Sequence, residues 1–402
     1  MTELNEALKQ LLLVLIPLEE IEIVTLTAAL RRVLAEPVTA SVASPPFDNS
    51  AVDGYAVRLI DLPTPDDGLP ISQYLAAGSA SQALQPSTAA HILTGAMMPV
   101  GADAVIMQED CVIKNDRLFF FGNLKQHANI RPAGEDIALG ASVYSAGQLL
   151  QAAELGMLAS LGYAKIQVYR NLKVALLTTG TELIAPGELL PPGRIYNSNL
   201  PMLHALLEQM DCHVLEMKPI ADDLAATQAA LAQAAQQADL VLTTGGVSVG
   251  DEDHVKQAVQ TLGEINLWRI AIKPGKPFAF GRIGQTPFMG LPGNPVSAFI
   301  TFALLVAPAI RHLQGRQDVH ADGPWEVTAD FDWPKPAPKR REFLRAQLTW
   351  GPHGPRVRIH PHQGSGILSS VSWADGLVEV AAGAAFKRGD KIAYWPWTQL
   401  LS

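Results

Sequence analysis

Cysteine is scarce in this chain: Cys111 and Cys212 are the only two among 402 residues. Two cysteines cannot build a disulfide framework, which excludes the small secreted proteins that depend on one. The scarcity is typical of a reducing compartment, so we expect a cytoplasmic protein.

Excess positive charge is also lacking, because 30 Lys and Arg face 39 Asp and Glu and the formal net charge is -9. Nucleic-acid binding needs a basic face, so we expect no nucleic-acid partner. An anionic small-molecule substrate stays open, since a few local lysines set the potential of a crevice. At 402 residues the chain should divide into several domains.

Apolar runs long enough to cross a membrane are missing too. Residues 11–18 form a short run between glutamates, which makes a poor signal peptide. Residues 299–310 are too short to span a bilayer and contain Pro308. We interpret both runs as buried helices and expect no membrane partner. The first run is also a candidate dimer interface, because so apolar a helix needs a cover.

Alternating strand and helix patterns fill residues 171–318. This alternation predicts a doubly wound, mostly parallel α/β sheet. In such folds ligands bind outside the carboxyl ends of the strands. Five polar motifs fall at those ends, and together they predict one ligand site. They are TTGTE (178–182), Asp222 with Asp223, TTGGVSVGDED (243–253), IKPGKP (272–277) and GLPGNPVS (290–297).

The TTGG motif is typical of a phosphate site, although a lone TTGG is about as often only a tight turn. Gly245 and Gly246 let backbone N–H groups approach an anion, and Ser248 follows them. Carboxylates from the same sheet edge suit a hard cation such as Mg²⁺. The candidate ligands are Glu182, Asp222, Asp251 and Asp253.

Two lysines give the opposite charge to the same edge. Lys273 and Lys276 lie in a loop that Pro274 and Pro277 stiffen, which favours an oxyanion site. Alone, each lysine would be interpreted as a solvated surface cation.

A predicted helix start at Pro295 supplies another anion-binding element. Asn294 is a favoured N-cap residue, and proline is a favoured first residue of a helix. This N-terminus, with Ser297 in its first turn, should point at the same crevice.

Nearly the whole chain resembles the molybdopterin molybdenumtransferase family, the MoeA type that also occurs as the E domain of gephyrin. The resemblance rests on residues 46–57, 92–110, 130–137, 171–315 and 362–366. Two positions depart from the family pattern. Thr181 stands where Asp or Asn is frequent, and Arg269 replaces a lysine seen in some relatives.

The resemblance assigns site roles outside the sheet. It implies that Asp53, Thr94 and Asp136 reach the active site, although Asp-Gly by itself usually marks only a hairpin turn. A further group belongs to the family's molybdate pocket, where an arginine fork and hydroxyls suit a tetrahedral oxyanion. That group is Lys273, Lys276, Pro277, Ser297, Arg345 and Ser365.

One alternative stays open for Arg345. Glu342 precedes it by three residues in REFLRA, so the two side chains could form an ion pair on a strand or loop surface. In that interpretation the arginine has no role in the molybdate pocket.

Domain organisation follows from changes in sequence texture and from the resemblance. We expect a discontinuous helical domain, a small β domain, a molybdopterin-binding α/β domain and a C-terminal β-barrel-like domain. Their boundaries are 1–40 with 137–170, 41–136, 171–318 and 319–402. Within the first, we predict a helix over residues 27–35 and packing of the N-terminal helix on a helix at 151–161. Six of the seven tryptophans lie in the last domain, and we interpret them as core.

The resemblance implies an enzyme that inserts molybdenum from molybdate into adenylylated molybdopterin and releases AMP. It also implies Mg²⁺, a homodimer with shared active sites, and contacts with other molybdenum cofactor biosynthesis proteins. The neighbouring adenylyltransferase of the pathway, which uses a similar sheet, and a non-catalytic scaffold are the alternatives. Molybdate and tungstate both stay open as the oxyanion.

Overall fold

The computed structural model describes residues 1–62, 67–217, 223–246, 254–320, 322–352 and 354–402. It confirms an α/β fold with a doubly wound sheet, a small β region and a C-terminal barrel. The domain boundaries stay predictions.

The described residues before position 171 form two α-helices and many short strands. The helices are α1 (Leu4–Val14) and α2 (Ala152–Ser160). The strands are β1 (Ile21–Thr25), β2 (Val38–Thr39), β3 (Asn49–Ser50), β4 (Gly54–Val57), β5 (Leu69–Leu75), β6 (Ala89–Ile92), β7 (Ala104–Met107), β8 (Cys111–Lys114), β9 (Arg117–Phe120), β10 (Ile130–Arg131), β11 (Ser142–Tyr144) and β12 (Lys165–Tyr169).

Two antiparallel pairings join the ends of this segment. Strand β1 pairs with β12, and β2 pairs with β11, so residues 1–40 and 137–170 meet. Between them lies a six-stranded sheet in the order β7-β4-β6-β5-β9-β8.

The helix predicted over residues 27–35 is wrong, because only a 3₁₀ turn at Leu26–Ala28 forms there. Arg31 has a positive φ of 63°, which interrupts an α-helix. Its N–H donates to Leu150 O and that of Leu34 donates to Gln148 O, so these amides pair with a distant segment. Tertiary pairing outweighs the local helical propensity.

The N-terminal helix also differs from expectation. Helix α1 ends at Val14, and Leu13, Val14 and Ile16 are exposed, so the run at 11–18 is only partly a buried helix. Leu4 and Leu11 on its other face pack in the core with the helix at Ala307–Leu313, rather than on α2.

The central sheet has six strands in the order β16 (His213–Glu216), β13 (Lys173–Thr178), β17 (Leu240–Thr244), β21 (Thr286–Leu291), β20 (Pro277–Ile283) and β18 (Gly263–Arg269). Its first four strands are parallel, and β20 runs antiparallel to both of its neighbours, β21 and β18. The elements are β13 (Lys173–Thr178), β14 (Leu183–Ile184), β15 (Ile195–Tyr196), α3 (Asn199–Gln209), β16 (His213–Glu216), α4 (Leu224–Gln237), β17 (Leu240–Thr244), α5 (His254–Leu262), β18 (Gly263–Arg269), β19 (Ile272–Lys273), β20 (Pro277–Ile283), β21 (Thr286–Leu291), α6 (Pro295–Thr301) and α7 (Ala307–Leu313).

Helices cover both faces of this sheet. Successive strand residues point to opposite faces, so Leu176 packs with α3 and α6 while Leu177 packs with α4 and α5. The continuous helix Pro295–Leu313, with a π segment at Phe302–Val306, is long and apolar enough to cross a bilayer. Of its 18-residue apolar window, 94% is buried inside the protein, which confirms the interpretation of residues 299–310 as a core helix.

The C-terminal strands close into a barrel. The elements are β22 (Trp325–Ala329), β23 (Arg341–Gly351), β24 (Gly354–Ile359), α8 (Leu368–Trp373), β25 (Gly376–Val380), β26 (Lys391–Pro396) and α9 (Trp397–Leu400). The circuit runs β23-β24-β22-β26-β25 and back to β23. Aliphatic side chains and Tyr394 fill it, whereas Trp350 is 79% exposed, so not every tryptophan is core. The short strand β19 pairs with β23 and attaches the barrel to the sheet's site edge.

Candidate active site

Three of the predicted motifs leave the sheet at one edge. Strands β13, β17 and β21 are parallel and end at Thr178, Thr244 and Leu291, so their carboxyl ends lie side by side. TTGTE, TTGG and GLPGNPVS therefore meet, as the sequence predicts.

Two asparagines that the sequence argument missed tie these strand ends together. The Asn197 side chain donates to Thr178 Oγ1 at 2.9 Å. The Asn199 side chain donates to Thr244 Oγ1 at 2.9 Å and to Gly293 O at 2.8 Å. Both asparagines are buried. The sequence feature that could have indicated them is the pair of asparagines at the start of α3.

The TTGG turn requires its glycines. Gly245 and Gly246 have φ values of 87° and 64°. A Cβ on Gly245 would lie 2.6 Å from Thr179 O, and one on Gly246 would lie 2.6 Å from a methyl of Val255. The turn thus packs against Thr179 and Val255 too closely for any larger residue at these two positions.

The predicted metal ligands are described only in part. The exposed Glu182 carboxylate folds back on Gly180, where a Cβ would lie 2.6 Å from Oε2. Asp222, Ser248, Asp251 and Asp253 lie outside the described residues. Within the described ranges, no three His, Cys, Asp or Glu side chains are grouped to share a cation. Asp223 caps α4 by accepting from Ala226 N at 2.8 Å.

The lysine loop lies along α6, near Thr301 at its end and the carbonyl of Ser297 in its first turn. Gly275 has a φ of 102°, and a Cβ there would lie 2.5 Å from Thr301 Oγ1. Lys276 is exposed beside it, with Pro277 as the first residue of β20. Lys273 is different, because its Nζ lies 2.7 Å from Glu342 Oε1.

The sequence suggested Arg345 as a partner for Glu342 and did not predict its ion pair with Lys273. Glu342 is 1% exposed, and its Oε2 also accepts from Trp333 Nε1 at 3.0 Å and Ala337 N at 2.7 Å. Burial opposes its ionisation, but hydrogen bonds from Lys273, Trp333 and Ala337 hold its pKa below the ordinary value. Glu342 therefore balances the charge of Lys273, and the suggested Glu342–Arg345 pair is wrong.

Arg345 is fully buried in the barrel wall. Its Nε donates to Ser370 Oγ at 3.1 Å, and its two terminal nitrogens donate to Phe343 O at 3.2 Å and Gly364 O at 3.3 Å. Burial lowers its pKa to about 10, so the guanidinium keeps its charge at neutral pH. Arg345 is linked to the crevice by its hydrogen bond to Gly364 in the loop that carries Ser365. Its direct contact with molybdate stays a prediction.

The loop held by Arg345 meets the start of α6. Ser365 O accepts from Val296 N at 3.2 Å, directly beside the buried Ser297. Asn294 occupies the N-cap position before Pro295, as predicted, but its side chain makes no capping hydrogen bond. The oxyanion candidates from the sheet and the barrel thus converge at one helix start.

Asp53, Thr94 and Asp136 lie in the small β region. Asp53 Oδ1 accepts from Thr94 N at 2.7 Å and from Thr94 Oγ1 at 2.8 Å, and these bonds lower the pKa of the exposed Asp53 carboxyl. Asp136 N donates to Ser44 O. The hydrogen bonds that the structure gives these three residues have partners within residues 41–137. None of these bonds involves the lysine loop.

Family comparisons cover most of the chain. It matches the MoeA N-terminal region (domain I and II) over residues 2–162 and the MoeA C-terminal region (domain IV) over residues 326–397. Between them, residues 175–312 match a probable molybdopterin binding domain.

Individual relatives agree with these matches. A molybdopterin molybdenumtransferase of Haemophilus influenzae is 46% identical over 74% of both chains. Molybdopterin molybdenumtransferase 2 of Mycobacterium tuberculosis is 36% identical over 91% of this chain and 94% of its own. A crystal structure of a molybdopterin biosynthesis MoeA protein from Pyrococcus horikoshii has 30% identity and a TM-score of 0.83, covering 99% of both chains. The chain belongs to the molybdopterin molybdenumtransferase (MoeA) family.

Proposed function

We propose that this protein is an enzyme that inserts molybdenum from molybdate into adenylylated molybdopterin and releases AMP. The observation that carries the proposal is the meeting of a glycine turn, a lysine loop and the start of α6 at one edge of the sheet. Relatives named for this transfer are similar to the chain over most of its length.

The glycine turn suits the phosphate groups of the substrate. Gly245 and Gly246 hold the turn in a positive-φ conformation at the carboxyl end of β17, where the Gly245 N–H donates to Leu291 O. Fixed N–H dipoles stabilise an anion without reorganising during the reaction. The turn would orient the pyrophosphate, with Ser248 following it in sequence.

The lysine loop and the start of α6 suit molybdate. Both lysines of the loop are exposed, but the charge of Lys273 is balanced by Glu342, which leaves Lys276 as the cation for a ligand. Ser297 and Ser365 flank the helix start, where backbone dipoles favour an anion. These groups would hold the dianion beside the dithiolene sulfurs and raise its effective concentration.

We also propose that Mg²⁺ assists at this edge. The exposed carboxylate of Glu182 has the oxygen donors that a hard cation prefers, and Asp222 and Asp253 would complete the set. When bound, Mg²⁺ neutralises the pyrophosphate and polarises it for cleavage. Glu182 would hold its ligand orientation by folding back on Gly180.

A dimer with shared sites completes the proposal. Asp53 is held ionised by Thr94 on an exposed edge, and no hydrogen bond in the described residues links it to the lysine loop of its own chain. A second copy would bring this carboxylate to the crevice. The exposed apolar residues Leu13 and Val14 of α1 give such a dimer additional surface to bury.

The function is tested by mixing purified protein with adenylylated molybdopterin, Mg²⁺ and molybdate. AMP release that depends on molybdate is the expected result. ATP consumption without molybdate would instead identify an adenylyltransferase, and the absence of any turnover would favour a scaffold.

A further inference from the structure

Residues 360–367, called the Ser365 loop below, join strand β24 to helix α8 and contact the start of α6. The loop follows β24 and carries Ser365, whose carbonyl accepts from Val296 N at 3.2 Å. Placing Ser365 at α6 therefore depends on how this loop is fixed on the barrel.

The side chain of Gln363 fixes the loop to strand β23. Its Oε1 accepts from Arg345 N at 3.0 Å, and its Nε2 donates to Arg345 O at 3.1 Å. The same Nε2 donates to His360 O at 2.8 Å. One amide thus satisfies both backbone groups of a strand residue and closes the loop on itself, which needs a donor and an acceptor on one side chain.

The side chain of Arg345 ties the rest of the loop to the same point. Its nitrogens donate to Gly364 O at 3.3 Å and to Ser370 Oγ at 3.1 Å, and Ser370 Oγ in turn donates to Ile367 O at 2.6 Å. The arginine is 0% exposed, so its position is set by packing. Gln363 consequently couples a fixed strand position to the Ser365 loop, next to the bonds from His360 N to Arg345 O and from the Arg345 side chain to Gly364 O.

We infer that Gln363 is a positioning residue for the oxyanion site, because its amide holds the Ser365 loop on β23 and so sets Ser365 against α6. The inference rests on the proposed function, since that function gives the site its molybdate. Gln363 itself makes no contact with the substrate in this account.

The sharpest test uses Gln363→Glu, which keeps the size of the side chain and replaces its donor. An ionised carboxylate would face two carbonyl oxygens, so the loop should loosen at a pH of about 8. We expect molybdate to bind roughly tenfold more weakly in equilibrium dialysis, with a similar rise in the molybdate KM and little change in kcat. Protonation of the introduced carboxyl restores a donor, so the deficit should shrink toward a pH of about 6.

Amide hydrogen exchange supplies a readout that needs no activity. Gln363→Glu should speed exchange in the Ser365 loop and at Val296, while the barrel strands stay protected. Thr349→Ala is the matched control, because Thr349 lies on the same strand, four residues beyond Arg345, and its Oγ1 donates to Arg356 O at 3.2 Å rather than to the Ser365 loop. The control should keep the wild-type molybdate affinity.

Two results would overturn the inference: unchanged exchange in the Ser365 loop at a pH of about 8, or faster exchange with unchanged molybdate affinity. Gln363→Ala repeats the comparison without adding a charge and should show the same weakening at every pH. If wild-type protein released no AMP with molybdate, the proposed function would fail, while the exchange data would still judge the role of Gln363 in the loop.

Discussion

Two lysines three residues apart illustrate how far side-chain environment decides function. Both side chains are exposed, but Lys273 Nζ pairs with the buried Glu342, whereas no ion pair of Lys276 occurs within the described part of the chain. Identical side chains in one loop therefore supply one charge that Glu342 balances and one charge that, in our proposal, binds the oxyanion. Glu342, which makes the two lysines different, lies 69 positions from Lys273 in the sequence.

Replacing Lys276 should weaken the response to molybdate. Lys276→Ala removes the exposed charge, and a hydrogen bond to a charged group contributes roughly 1.5–3 kcal/mol. The molybdate concentration for half-maximal AMP release should therefore rise about tenfold or more. Lys165→Ala, which removes another exposed lysine from β12, is the control. An unchanged molybdate dependence in Lys276→Ala would remove this lysine from the site.

Replacing Glu342 should destabilise the barrel in a pH-dependent way. Glu342→Gln presents an amide to Lys273 or to Trp333, and a buried unsatisfied group costs about 1–3 kcal/mol. The folded pKa of Glu342 is lowered, so its contribution is complete above the ordinary value of 4.5 and is lost as the pH falls through the folded pKa. Tryptophan fluorescence during urea unfolding should thus show a deficit at neutral pH that shrinks in acid.

Glu379→Gln provides a matched control for that measurement. Glu379 also accepts from an indole, Trp395 Nε1 at 2.7 Å, and pairs with Arg341 at 3.1 Å, but it is 19% exposed. Water replaces its lost partners more easily, so the destabilisation should be smaller. Equal effects of the two substitutions would contradict the special burial of Glu342.

At the scale of elements, the turn after β17 should not tolerate a side chain at Gly245. Gly245→Ala places a Cβ 2.6 Å from Thr179 O at a φ of 87°, so the turn must move. We expect a higher KM for adenylylated molybdopterin in the AMP assay. Gly284→Ala is the control, because Gly284 also has a positive φ but nothing within 4 Å of a Cβ. Similar kinetics in the two variants would mean that backbone strain alone, and not the site, explains the effect.

The sequence predicted the elements whose signals are local. Alternating strands and helices placed TTGTE, TTGG and GLPGNPVS at one edge, because parallel strands share a carboxyl end. The helix over residues 27–35 failed, since the amide of Arg31 pairs with Leu150 O. The hydrogen-bond partners of Glu342 and Gln363 were not predicted for the same reason. Their partners are set by barrel closure, which no local pattern in one sequence records.

At the scale of the whole molecule, the account requires two chains to build one site. Asp53 and Lys276 lie in different regions, and in the proposed dimer they face each other across the subunit boundary. Asp53→Ala and Lys276→Ala should each be nearly inactive alone. After dissociation and reassociation in equal amounts, roughly half the dimers are heterodimers with one intact site each.

The mixture should therefore regain about a quarter of wild-type activity. Mixing Lys276→Ala with Gly245→Ala is the control, because both residues belong to the sheet region and every site in that mixture stays defective. No recovery with Asp53→Ala, despite confirmed subunit exchange, would refute the shared site.

The most direct measurement of the central claim is the ratio of molybdenum transferred to AMP released in a single turnover. Molybdenum bound to the pterin product is measured by mass spectrometry after gel filtration, and AMP is measured in the same sample. The account predicts about one molybdenum per AMP, with both falling together in Lys276→Ala at limiting molybdate. AMP release without molybdenum in the product would contradict insertion and leave only hydrolysis.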